Sequence, residues 1–182
     1  MRLMIALMLC IFVQQCDIYI AQAEELTPLE RVIRRSRPEA HLDIVRRIAF
    51  VIERESKRYN LDPNLLAAVI WVESRFKYTA RGKIGEIGLM QIRYDIWHKS
   101  NILRKKGVDS KRKLQWIGKN VQCGAHILRY FLDRADGDIV LALYRYNSGR
   151  TKLPKGVPRH KITYASQVLL KMYEISEHTR RK

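Results

Sequence analysis

Cysteine is nearly missing from the body of this 182-residue chain: Cys10 and Cys16 fall within the first 23 residues, which leaves Cys123 alone beyond them. A lone cysteine forms no internal disulfide. Set among apolar residues at helical spacing, Cys123 reads as a small core residue, and no activating constellation marks it as a nucleophile. His41, His98, His126, His160 and His178 show no ligand spacing, so neither a metal nor another cofactor is implied. The chain has no internal repeat and no low-complexity stretch. Acidic residues are scarce, 18 against 35 lysines and arginines, for a formal net charge of +17. A surface of that sign attracts polyanions. Nucleic acid, anionic lipid and anionic cell wall all qualify, and charge alone does not choose among them. At 47% hydrophobic the chain is too apolar for disorder, and it is long enough for one domain with a core.

The N-terminus narrows the choice. Arg2 precedes an unbroken apolar run from Leu3 to Val13, followed by polar Gln14-Gln15-Cys16-Asp17 and then by Ala21-Gln22-Ala23. A basic start, an apolar stretch and an A-x-A site are the parts of a signal peptide over residues 1–23. The run falls short of the ~20 apolar residues needed to span a bilayer. A retained anchor is the competing reading. Cleavage after Ala23 predicts a periplasmic or secreted domain over 24–182. Arg2 and Asp17 cancel, so removal of the segment leaves the charge at +17. Export argues against nucleic acid, and no readout motif for it is present.

Helical periodicity dominates the remainder. Leu42, Val45, Ala49 and Ile52 form one stripe. Asn60-Leu61-Asp62-Pro63 reads as a break and restart, with Asp62 as a cap and Pro63 in the first turn. Leu65 to Val72 is apolar at every position, as in a helix buried on all sides. That makes it the central helix of an all-α domain, with Glu73 near its C-terminal end. Residues 77–88, containing Gly82, Gly85 and Gly88, read as a loop or short hairpin. Helices are expected around Val121–Leu132, over Ile139–Tyr146 with Asn147-Ser148-Gly149 closing it, and from Ile162 through Met172. Pro154–Pro158 reads as a loop, and no sheet of any size is expected. The basic runs at 104–106, 111–113 and 180–182 fit either a solvated surface or attraction to an anionic polymer.

Three segments then read as one site: Trp71-Val72-Glu73-Ser74-Arg75-Phe76, Gly88-Leu89-Met90-Gln91, and Ala142 to Gly149 with its Tyr146-Asn147. Taken alone, Glu73 fits an ordinary exposed glutamate at a helix end as well as it fits an acid. In type and order, together with Asn120, Gly124 and Tyr164, these segments resemble the lytic transglycosylases with a soluble-transglycosylase (SLT) type catalytic domain, a branch of the lysozyme superfamily. The resemblance covers roughly residues 55–175. It implies a lysozyme-like all-α single domain with a short loop or hairpin beside the active site. The physics of the position agrees with an acid: a carboxyl following a wholly apolar helix loses solvation, and the negative helix end disfavours its charged form further.

The resemblance also implies roles. Glu73 is the single acid and base. Ser74, Met90, Gln91, Tyr146, Asn147 and Tyr164 are the substrate-binding set, with Met90 and Gln91 lining the sugar groove; plain core is the competing reading for Met90 and Tyr164. The Tyr146 hydroxyl lies near Glu73, and Tyr164 closes the floor. The reaction implied is cleavage of the MurNAc–GlcNAc β-1,4 bond in peptidoglycan glycan strands. The muramic acid C6 hydroxyl attacks, leaving 1,6-anhydro ends, and no water is consumed. A monomer is expected, and envelope-spanning secretion or conjugation machines, or phage systems, are the partners that small exported members of the family serve. One departure stands out: many members carry a serine nine places after the glutamate, thought to hold the substrate's acetamido or peptide part, and here that place is Gly82. Two other readings stay open. One is a lysozyme-like hydrolase in which Glu86 or Asp95 positions a water. The other is a weakly active wall-binding accessory. Because Gly85 and Gly88 mark a tight turn around it, Glu86 is expected to point to solvent.

Overall fold

The computed structural model describes residues 25–149 and 159–180, with side chains of the last helix described from residue 163. The proposed signal peptide and the Pro154–Pro158 loop lie outside the described residues. Helix α1 (Pro28–Ser36) opens with a capping box in which Thr27 and Glu30 satisfy each other's backbone N–H groups. Helix α2 is Leu42–Tyr59 and buries Val45, Ala49 and Ile52 of the expected stripe together with Ile48, while Leu42 is only partly buried. Asn60 ends it in the left-handed conformation. Asp62 then caps α3 (Pro63–Ser74), its carboxylate accepting from the Asn64 N–H at 2.7 Å.

Helix α3 is buried on every side from Leu65 to Ile70. Its companions are α7 (Ile117–Asp133), α8 (Ile139–Ser148) and α9 (Arg159–Arg180). Helix α9 packs along α3 and α8, while α2 packs on both α3 and α7. Between α3 and α7 run a two-residue antiparallel pair, β1 (Glu86–Ile87) with β2 (Ile92–Arg93), and the short helices α4 (Tyr94–Trp97), α5 (Ile102–Lys105) and α6 (Lys111–Leu114). The hairpin stands later than the loop reading of 77–88 placed it. Its turn is Gly88-Leu89-Met90-Gln91 itself, with Glu86 opposite Arg93.

Cys123 is fully buried in α7, and burial pushes its thiol up to about 12, so it stays neutral. No helix among the described residues is long and apolar enough to cross a membrane.

Candidate active site

Helix α3 stops immediately after Glu73-Ser74. Arg75 and Phe76 both take positive φ, 52° and 59°, and the Arg75 N–H closes on the Trp71 carbonyl at 2.9 Å. Two non-glycine residues in that region are uncommon. What holds them is burial of the Phe76 ring and packing of the Arg75 guanidinium on the Trp71 indole, 3.2 Å from the ring centre. Glu73 is thereby set at the lip of the buried helix, facing a cleft.

The opposite wall is the 88–91 turn, and α7 builds it. Asn120 is wholly buried. Its Oδ1 accepts the Met90 N–H at 2.8 Å, and its Nδ2 donates to the carbonyls of Ile87 and Leu114 at 2.8 and 2.9 Å. Gly88, at φ 75°, lies so close to Asn120 that a Cβ there would sit 2.8 Å from Cγ. Gly124 makes the matching space beneath Met90, where a Cβ would fall 2.8 Å from the Met90 Cβ. Ser74 pins the turn from the other side, its hydroxyl within reach of the Leu89 carbonyl at 2.8 Å and of Ile70 at 3.1 Å.

Two of the substrate-binding expectations therefore change. Met90 has no exposed surface and cannot line a groove, because it is the plug that seats the turn on α7. The Ser74 hydroxyl is committed to backbone carbonyls, so Ser74 joins helix to turn. Gln91, Tyr146 and Asn147 do line the cleft beside Glu73. Gln91 is held at φ 44° with its side-chain amide donating to the Gly88 carbonyl at 2.8 Å.

Tyr146 lies near Glu73, but the direct hydrogen bond to the carboxyl comes from Tyr164. Tyr164, from α9, donates its hydroxyl to Glu73 Oε1 at 2.6 Å. Tyr146, from α8, donates to the Met90 carbonyl at 2.9 Å and so braces the turn. Burial, followed by the nearby Glu73 charge, holds both phenols well above their ordinary pKa.

The Glu73 carboxyl is raised to about 7. Burial is the main cause, the Tyr164 hydrogen bond opposes it, and the negative charge of Glu86 adds to it. The residue keeps some exposed surface through the cleft mouth, yet protein atoms crowd the carboxyl itself. Among the described residues Oε2 has no hydrogen-bond partner. With Oε1 accepting from Tyr164, Oε2 is the oxygen free to carry a proton.

Glu86 is not turned to solvent. It is half-buried and lines the same cleft, because its carboxylate folds back over the loop and accepts the Ile84 N–H at 3.1 Å. Asp95, by contrast, is exposed and absent from the cleft wall. Its hydrogen bond from Arg93, at 2.8 Å, holds its carboxyl below the usual range. Sequence reasoning missed Trp97, Ile84 and Ile96, which give the cleft apolar surface. Exposed isoleucines at 65% and 42% are the sort of apolar area a sugar ring covers.

Residues 50–169 match the family described as the transglycosylase SLT domain. The chain belongs to that family. A solved structure of similar fold is that of the lytic transglycosylase Slt from Pseudomonas aeruginosa, an inactive mutant with glutamate replaced by glutamine. It superposes with a TM-score of 0.60 at 24% identity over 70% of this chain, which spans 23% of the length of that protein. The SLT domain here is accordingly all-α and lysozyme-like. It accounts for the region where α3, the 88–91 turn and α8 converge.

Proposed function

We infer that the protein is a peptidoglycan lytic transglycosylase working outside the cytoplasmic membrane, in the periplasm or secreted. The observation that carries this is a single desolvated carboxyl near pKa 7, held by a tyrosine hydroxyl at the lip of a cleft in an SLT domain. Glu73, protonated on Oε2, delivers its proton to the glycosidic oxygen as the bond breaks. As carboxylate it then takes the proton from the muramic acid C6 hydroxyl, which closes the 1,6-anhydro ring. Tyr164 fixes Oε1 through both steps. Gln91 and Asn147 offer amide groups to the strand, and the isoleucines and Trp97 offer apolar faces. The +17 charge draws the domain to anionic wall. A wall-opening role beside an envelope machine is part of this reading.

The acid step sets the pH dependence. Glu73 must enter protonated, so turnover on purified sacculi should be highest on the acid side and fall as pH rises through about 7. A rate climbing steadily to pH ~9 would exclude a carboxylic acid in this role. Tyr164→Phe removes the hydrogen bond that stabilises the carboxylate. The alkaline limb should then move to higher pH while kcat drops, because Oε1 loses its anchor. An unmoved limb would show that Tyr164 does not act on Glu73.

A second reading has one observation in its favour: Glu86 lies on the cleft, where a water-positioning base of a hydrolase would need to be. Asp95 cannot take that part from its exposed position. Product chemistry separates the two readings.

A further inference from the structure

Glu86 and Gly82 form an interlocked pair, and resting on the transglycosylase reading we propose that Glu86 is a positioning residue whose carboxylate, seated over Gly82, keeps the proton on Glu73. The seat is specific. A Cβ at position 82 would lie 2.7 Å from the Glu86 Cδ and 2.8 Å from its Cβ, and would overlap the carboxylate itself. The loop closes around this arrangement through the Gly82 N–H to the Glu86 carbonyl at 3.0 Å and the Ile84 N–H to Oε2 at 3.1 Å. The carboxylate is therefore held in its seat by one backbone N–H, that of Ile84.

Arg93 stands opposite Glu86 in the hairpin register, yet the guanidinium pairs with Asp95, and among the described residues Glu86 has no ion-pair partner. The other groups around Glu73 cannot do the same work. Tyr146 and Tyr164 stay protonated, and Arg75 lies on the Trp71 ring. Burial is the main reason Glu73 holds its proton, and the negative charge of Glu86, on the same cleft wall, adds to it in the same sense. Glycine at 82 is what admits it: any side chain there would expel the carboxylate from its seat.

The test is a carbon-13 carboxyl titration of Glu73 in the full exported chain, run on wild type, Glu86→Gln, Gly82→Ala and the double variant. No turnover is needed, so the result stands apart from the identity of the reaction. Glu73 should titrate at lower pH in Glu86→Gln and in Gly82→Ala, and the double variant should shift no further than Glu86→Gln. The alkaline limb of kcat/KM on sacculi should move the same way, with products still ending in anhydro sugar. Alanine at 82 meets the Glu86 Cβ as well as its carboxylate, so the loop backbone must give slightly as the carboxylate is displaced. If that variant still folds poorly, Glu86→Gln decides alone. A Glu73 titration unmoved by Glu86→Gln overturns the proposal. So does a Glu86→Gln enzyme whose loss is of water-derived reducing ends, which would make Glu86 a base and also end the transglycosylase reading.

Discussion

Glu73→Gln should lower turnover on peptidoglycan by at least about 100-fold, the lower end for loss of a general acid–base group, and should also make the folded protein more stable at pH 8. The amide has the same shape, and its oxygen can still accept from Tyr164, so the cleft survives. What is lost is the proton that Oε2 would deliver. The stability gain follows from the raised pKa. In the folded protein Glu73 binds its proton more tightly than its ordinary value of 4.5 would give. The stabilisation from that proton is complete below the unfolded pKa and is lost as pH rises through about 7. A displacement of that size corresponds to at most about 3.5 kcal/mol, at about 1.4 kcal/mol per unit. Water in the cleft reduces it to roughly 1–2 kcal/mol. At pH 8 the variant should therefore melt a few degrees above wild type, and at pH 4 the two should coincide. Lower activity with higher stability is a combination that damage to the fold cannot produce. Equal melting at pH 8 would mean that Glu73 is solvated like a surface carboxylate.

Asn120→Ala should cost about 3–5 kcal/mol and dissolve the site from a distance. Three buried backbone groups, the Met90 N–H and the Ile87 and Leu114 carbonyls, lose at once the side-chain partner that Asn120 gives them. Each buried group left unsatisfied costs about 1–3 kcal/mol. The cavity beside Gly88 adds to this. In a domain of this size the expected fall in Tm is roughly 10 °C. Gln91 should lose its place with the turn, so turnover falls even where the protein remains folded. Thermal unfolding followed by circular dichroism checks the first part. A Tm within about 1 °C of wild type would show that the turn is held by something other than Asn120.

Much of this was legible in the chain before any coordinates. The all-apolar run from Leu65 announced a central helix, because only complete burial tolerates such a run. Asp62-Pro63 marks its start, and Glu73 stands out as the first charge after it. What was not legible was direction. The resemblance places Met90 and Ser74 at the substrate, but a thioether and a hydroxyl turn inward when a glycine on α7 and the carbonyls of Ile70 and Leu89 wait for them. Tyr164 is 91 residues from the carboxyl it touches. Glu86 was read as solvent-facing from its flanking glycines. Gly82, four places earlier, removes the obstacle and allows the side chain to fold back into the cleft.

The most direct measurement of the central claim is mass spectrometry of the fragments released from purified sacculi in oxygen-18 water. Peptidoglycan cut by the wild-type protein should end in 1,6-anhydromuramic acid, with no label taken up at the new termini. Reducing ends carrying oxygen from the labelled water would contradict it and make the protein a hydrolase.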